Sequence, residues 1–299
     1  MQQIDSGKER VASARQGSSG AARGPDASSA ELSLDIGLAS DVGPIRELNE
    51  DCADFRVPED RALYQAKGAI FVVADGMGGH QAGDVASRQA VALVIEGYYA
   101  DDASQPSDDL VRAIKAANRS VYEEALSDRS KSGMGTTLVA AIVLGHKVYV
   151  ANVGDSRAYA LVDQAIVQIT EDHSWVEEQV RAGLLTREQA NHHPQRHLIT
   201  RALGSRSSVD VDLYEGELHA GEMLLLCTDG LSNPLSDLAI GRIIRALPPA
   251  DAAQRLIREA EELAGDDNAT ALVVKLVPSR TEVTQDTVET TGCGRGDCG

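Results

Sequence analysis

Four times in this sequence an aspartate stands at the edge of an apolar, strand-like run. Ala69-Ile70-Phe71-Val72-Val73-Ala74 leads into Asp75-Gly76, and Met223-Leu224-Leu225-Leu226-Cys227-Thr228 leads into Asp229-Gly230. Val148 to Val153 leads into Gly154-Asp155, and Asp266-Asp267-Asn268 precedes a further apolar run over 269–276. A single Asp-Gly after a strand reads as a turn. Several, each anchored by a buried strand, can converge at one end of a sheet, where like-charged carboxylates repel unless positive charge lies between them. Hard divalent cations with oxygen ligands meet that need, and no Cys/His spacing here suggests zinc.

The chain after Asp75 is kept free of side-chain bulk by Gly76, Gly78, Gly79 and Gly83. Such a loop turns sharply and lets a backbone carbonyl approach an ion or substrate. A nucleotide phosphate loop is the other use of Gly-X-Gly. The segment lacks Gly-Lys-Ser/Thr and the dinucleotide Gly-x-Gly-x-x-Gly, and Asp75 would repel a phosphate unless a metal intervened. Upstream, Arg46 sits beside Asn49-Glu50-Asp51. Its guanidinium can take two phosphate oxygens in one fork; the plainer reading is a surface arginine in an acidic loop.

Positioning these groups falls to apolar runs that read as strands, at 32–39, 69–74, 137–144, 147–153, 156–162, 209–214, 222–228 and 269–276. Helical spacing appears over 83–99, with Ala86, Ala90, Leu93 and Val94 on one face. It recurs over 108–126, with Leu110, Ile114, Ala117, Val121 and Ala125 and with Ser107 as the expected N-cap. Shorter helices are expected at 173–182, 238–247 and 250–264. This order is not a βαβ alternation. It predicts antiparallel sheets covered by helices, an α+β layered architecture.

Composition frames the domain plan. Of 299 residues, 42% are hydrophobic and only 3% aromatic, so the core must be built from aliphatic side chains. Residues 1–31 and 278–299 have disordered composition, and 32–277 reads as one globular unit. A net charge of -18 argues against nucleic acid or an anionic membrane as partner. No run reaches a membrane span, no secretory signal opens the chain, and Cys52, Cys227, Cys293 and Cys298 form no disulfide framework, so a cytoplasmic location is expected. The tail sequence from Cys293 to Cys298 reads as chance.

Taken in order, Arg46-x-x-Asn49-Glu50-Asp51, Val73-Ala74-Asp75-Gly76-Met77-Gly78-Gly79-His80, Gly133-Met134-Gly135-Thr136-Thr137, Val153-Gly154-Asp155-Ser156-Arg157, Thr228-Asp229-Gly230-Leu231 and Asp267-Asn268-Ala269-Thr270 resemble the motif series of the metal-dependent protein serine/threonine phosphatases (PPM, type 2C), in their bacterial branch. The segment from Asp172-His173-Ser174 to Leu203-Gly204 is similar to the flap of those enzymes. The resemblance implies a central β-sandwich of two antiparallel sheets flanked by helices, four layers in αββα order, with a metal cleft at one end. It further implies two Mn2+ or Mg2+ ions that activate a water against phosphoserine or phosphothreonine. Asp51 and Asp75 would contact the pair, one of them bridging both ions, Asp229 and Asp267 the first ion, and the Gly76 carbonyl and, through water, Glu50 the second. Arg46 would bind phosphate oxygens, and His80 would position substrate or donate a proton to the leaving oxygen. Asp155 would help hold a weak third ion, unless it only shapes its turn or pairs with Arg157. His173, His192, His193 and His197 would shape or gate access. Phosphorylated proteins, among them a Ser/Thr kinase and its targets, are the implied partners.

Two other classes stay open at this stage. A catalytically weak phosphoprotein-binding scaffold would require a defect that the sequence does not display. A two-metal nuclease or nucleotidase is opposed, for nucleic acid, by the acidity and by the absence of basic or stacking-aromatic patches.

Overall fold

The run 69–74 is fully buried along its whole length, so both of its faces are covered. Its odd-numbered residues, Phe71 and Val73, pack with Leu224, Leu226, Leu272 and Val274 in one core. The even-numbered Ile70, Val72 and Ala74 pack with Ala86, Ala90, Val94, Leu110 and Ile114 in another. That alternation is the period-two geometry of a strand, and it places this segment inside a layered molecule.

The computed structural model describes residues 32–78, 82–100 and 105–279. Its strands are β1 (Leu32–Asp41), β2 (Asp51–Arg56), β3 (Ala69–Met77), β4 (Gly135–Thr136), β5 (Leu138–Leu144), β6 (Lys147–Val153), β7 (Arg157–Val162), β8 (Ala165–Gln168), β9 (Asp212–Glu217), β10 (Met223–Cys227) and β11 (Ala269–Pro278). Helices are α1 (Arg61–Lys67), α2 (Ala82–Tyr99), α3 (Pro106–Ser127), α4 (Trp175–Arg181), α5 (Arg187–Asn191), α6 (Asp229–Ser232), α7 (Asp237–Ala246) and α8 (Pro249–Leu263).

One sheet has the order β1-β11-β10-β7-β8, and the other β2-β3-β5-β6-β9 with β4 added to β3. All the pairings are antiparallel. Helices α2 and α3 cover the second sheet. On the outer face of the first, Tyr159, Leu225 and Val273 pack with Ile240 and Ile244 of α7 and Leu256 and Ile257 of α8. The order of layers is therefore αββα, as expected. Burying each such aliphatic side chain contributes about 1.5–3 kcal/mol, so three mostly aliphatic cores, with Phe71, Tyr98 and Tyr159 set among them, hold the layers together.

Several local expectations change. Strand β2 was not anticipated: Cys-Ala-Asp lacks β-branched residues, and its pairing with β3 holds it. The two-residue β4, the short β8 and helices α1, α5 and α6 were also missed. The strand expected at 209–214 is β9, three residues later, because its register sets Tyr214 against Val150. Ser107 does not cap α3. The N-cap is Gln105, without a side-chain bond, and Pro106 takes the first turn, where its fixed φ and missing N–H fit. His80 and the two tails, with Cys293 and Cys298, lie outside the described residues. No helix among those described is long and apolar enough to cross a membrane.

Candidate active site

Asp51 opens β2, Asp75 lies near the end of β3, and the register sets the two directly opposite each other. Cross-strand neighbours of this kind stand about 4.5–5.5 Å apart at Cβ. Their backbones are clamped from behind. Gly76 N–H donates to the Glu50 carbonyl, and Thr137 N–H and the Thr136 hydroxyl donate to the Asp75 carbonyl. Asp75 N–H donates in turn to Thr137 Oγ1 at 3.0 Å. Thr137 also shares a 2.7 Å bond with the buried hydroxyl of Ser156. Gly154, at φ +116°, lies so close to Thr137 that a Cβ would come within 2.6 Å of its side chain. The Gly-Asp-Ser-Arg turn thus supports Asp75 through Thr137.

The other sheet supplies the remaining carboxylates. Asp229 begins α6 directly after β10, and Asp267 lies just before β11. Two hydroxyls bridge the sheets here: those of Thr228 and Thr270 donate to Asp51 Oδ2 at 2.8 and 2.7 Å. Asn268 joins the ends further. It accepts from Glu50 N–H at 2.8 Å and donates to the Val42 and Leu48 carbonyls at 2.8 and 3.1 Å. Gly230 passes so near Asn268 that a Cβ would meet its carbonyl oxygen at 2.0 Å.

Burial and mutual repulsion dominate the electrostatics. Burial, with Asp229 and Asp267 adding to it, pushes Asp51 up to about 7 against the pull of its two threonine bonds. Asp75 is held well above the usual carboxylate range by burial, then by Asp51, Asp229, Asp155 and Asp267. Burial and Asp267 raise Asp229, while burial and then Asp229 and Asp172 raise Asp155. Burial also raises Glu50, although the charge of Arg46 opposes it.

These groups fit a pair of hard cations. Glu50 Oε1 and Asp155 Oδ1 are buried oxygens with no hydrogen-bond partner. A Cβ on Gly83 would lie 2.4 Å from Glu50 Oε1 and 2.8 Å from the Gly76 carbonyl oxygen, so the glycine leaves that cradle open. The donors are all oxygen, the set that manganese and magnesium prefer. Among the described residues no three side chains form a ready-made ligand cage, consistent with carboxylates that repel one another.

The expected residues distribute unevenly. Arg46, Glu50, Asp75, Gly76, Asp229 and Asp267 line one open cleft of about 790 Å³. Arg46 stands half-exposed, paired with Asp267 at 2.9 Å and donating to the Asp266 carbonyl at 3.3 Å. Asp155 lines a second lobe of about 730 Å³ that shares Asp229 with the first. Arg157 is not its partner. That guanidinium grips Asp172 at 2.7–3.1 Å and donates to the Tyr159 hydroxyl.

Of the flap histidines, His192 and His197 line the cleft. His193 packs against Trp175 with tilted rings whose centroids are 4.9 Å apart. His173 is buried at the flap's base, where Nδ1 accepts from Gly154 N–H at 2.9 Å and Nε2 faces Asp212 at 3.1 Å. The flap is further hung from Thr136, whose backbone exchanges two hydrogen bonds with Leu203. Sequence reasoning gave no role to Thr137, Ser156, Thr228, Asn268 or Thr270. Their one signal was membership in the same short motifs as the carboxylates.

The protein phosphatase 2C family model matches residues 52–272. The chain is 38% identical over 241 residues to the serine/threonine phosphatase stp of Listeria innocua, covering 79% of this chain and 93% of that protein. It is 38% identical over 250 residues to the serine/threonine protein phosphatase PstP of Mycobacterium tuberculosis, covering 82% of this chain and 46% of that longer protein. A crystal structure of the catalytic domain of PstP in complex with two manganese ions superposes with a TM-score of 0.72 at 35% identity, covering 82% of this chain and 99% of that one.

Proposed function

Since this chain belongs to the protein phosphatase 2C family, we propose that it hydrolyses phosphoserine and phosphothreonine in proteins with two divalent cations, manganese or magnesium. The observation that carries this reading is the register of β2 on β3. It sets Asp51 against Asp75 at the mouth where Asp229 and Asp267 act on both. Three carboxylates so desolvated, with Asp267 beside them, require positive charge between them.

The residues divide the work. Asp51 and Asp75 would hold the pair, with Asp229 and Asp267 on one ion and the Gly76 carbonyl and, through water, Glu50 on the other. Bound there, such ions supply a water of lowered pKa and positive charge for the attacking and leaving oxygens. Arg46 binds the non-bridging phosphate oxygens once its guanidinium turns from Asp267, and the fork geometry of arginine suits that task. Thr228 and Thr270 orient Asp51 so that its second oxygen stays available. Asp155 has a buried oxygen to offer a weaker third ion. On sequence alone, His80 is assigned to the substrate, to position it or to give the leaving oxygen its proton.

Residues 32–277 are taken as the catalytic unit, which contains the matched span 52–272. The natural opponent is a Ser/Thr kinase in the cytoplasm, a location favoured by the free thiols of Cys52 and Cys227.

One assay tests these assignments together: phosphate release from a phosphothreonine peptide and from an autophosphorylated Ser/Thr kinase, in manganese, with and without chelator. Release should need the metal and fall at least about 100-fold in Asp229→Asn, the order expected when a group that stabilises the transition state is removed. Asp155→Ala should retain activity but need more manganese. Metal-independent release would overturn the two-cation reading. An unchanged metal requirement in Asp155→Ala would remove the third ion, and an untouched kinase would remove that partner.

A further inference from the structure

The second lobe is more than a margin of the metal cleft. It lies between the flap and the α6–α7 segment, and it meets the cleft along Asn191, His192, Arg196, Asp229, Asn233 and Pro234. A peptide whose phosphate occupies the cleft therefore has a neighbouring residue within reach of this lobe.

The charge of the lobe is lopsided once its internal pairs are removed. Arg157 is committed to Asp172 and Tyr159, and Arg187 to Glu177. Arg196 and His192 stand where the lobes meet, facing the phosphate side as well. With Asp155 given to the third ion, what remains in the lobe is Asp237, on the exposed first turn of α7. A second observation points to a ligand: Ser232 is 6% exposed, lines this lobe, and its Oγ has no hydrogen-bond partner. A buried hydroxyl without a partner costs free energy that a donor from a ligand restores.

We propose that this lobe, walled by Ser232 and Asp237, receives the ammonium or guanidinium of a lysine or arginine beside the phosphorylated residue, so that the enzyme favours phosphosites flanked by a basic residue. The inference rests on the phosphatase reading above and sharpens it. Lys and Arg carry several N–H donors and no acceptor, which matches a lobe that offers carboxylate and hydroxyl oxygens.

The test compares kcat/KM for phosphothreonine peptides with Arg, Ala or Glu on either side of the phosphoresidue, alongside p-nitrophenyl phosphate, for wild type, Asp237→Asn and Ser232→Ala. Wild type should favour the arginine peptide over the alanine one by about 2- to 5-fold, within the range for a partly exposed charge pair. Asp237→Asn should shrink that ratio toward one through KM, with turnover of the aryl phosphate and thermal stability unchanged. Equal kcat/KM on all three peptides in wild type, or the full preference surviving in both variants, would overturn the proposal while leaving the phosphatase reading intact. A change in manganese dependence in Asp237→Asn without a change in peptide preference would mean that the lobe takes an ion, and would overturn it equally. No hydrolysis of any substrate would take down both.

Discussion

The Asn268 side chain accepts from Glu50 N–H and donates to two carbonyls upstream, at Val42 and Leu48. One uncharged amide thus fixes the loop carrying Arg46, Glu50 and Asp51 to the turn carrying Asp267. Its Ala variant leaves three backbone groups to find water or stay unpaired, at a cost of about 1–3 kcal/mol. Groups that orient ligands typically change metal affinity by about 10- to 100-fold when lost. Asn268→Ala should therefore raise the manganese concentration for half-maximal activity by about tenfold while lowering the denaturant midpoint. A titration curve superimposable on wild type, in a protein of equal stability, would remove Asn268 from the site. The sequence displayed this residue in Asp267-Asn268-Ala269-Thr270 but not its use, because a side-chain amide bonded to three distant backbone groups leaves no periodic trace. Carboxylates are different. Asp75, Asp155, Asp229 and Asp267 each flank an apolar strand, so their convergence was legible, whereas Asp51, known only from its motif, and the threonines that orient it were not.

Among the elements, β9 and the flap are coupled through Asp212. Arg201 donates to its Oδ1 at 2.6 Å and His173 Nε2 faces its Oδ2 at 3.1 Å. Burial works against the charge of Asp212, yet the bonds from His173 and Arg201 outweigh it and hold the carboxyl down at about 2, from an ordinary 3.8. A depressed carboxylate stabilises the fold above its unfolded pKa, and that contribution is lost as the pH falls through the folded one. The advantage of wild type over Asp212→Asn should therefore be full above about pH 4 and fade toward pH 2. Denaturant midpoints of the two proteins across that range check it, and a constant difference would show that Asp212 does not titrate with folding. Elements dominated by apolar runs, such as β3, β6 and β10, were readable because burial on both faces leaves them few polar residues. Strands β2 and β8 and helices α1, α5 and α6 were not. Each is short and held by its neighbours, α1 and α5 being further fixed by caps at Asp60 and Thr186, and tertiary pairing outweighs local propensity at that length.

At the scale of the whole molecule, the sandwich brings carboxylates from both sheets to one mouth in a chain that already carries a net charge of -18. Folding without cations must therefore desolvate and crowd like charges, and cations that bind only the folded state oppose that cost. Saturation of one site at about 100 times its Kd stabilises by about 2.7 kcal/mol, and a domain of this size gains about 2–4 °C in Tm per kcal/mol. Manganese should raise the Tm of wild type by about 5–10 °C, and chelator should return it to the starting value. Asp229→Asn should behave in the opposite way. Without metal it should melt no lower than wild type, since a buried, repelled charge has been removed, and with metal it should gain little. Differential scanning calorimetry of both proteins decides the matter. Equal melting with and without manganese, in an enzyme whose activity requires the ion, would mean that the carboxylates are preorganised by something other than the cations. The strain argued from Asp51, Asp75 and Asp229 would then have to be relieved by protons alone.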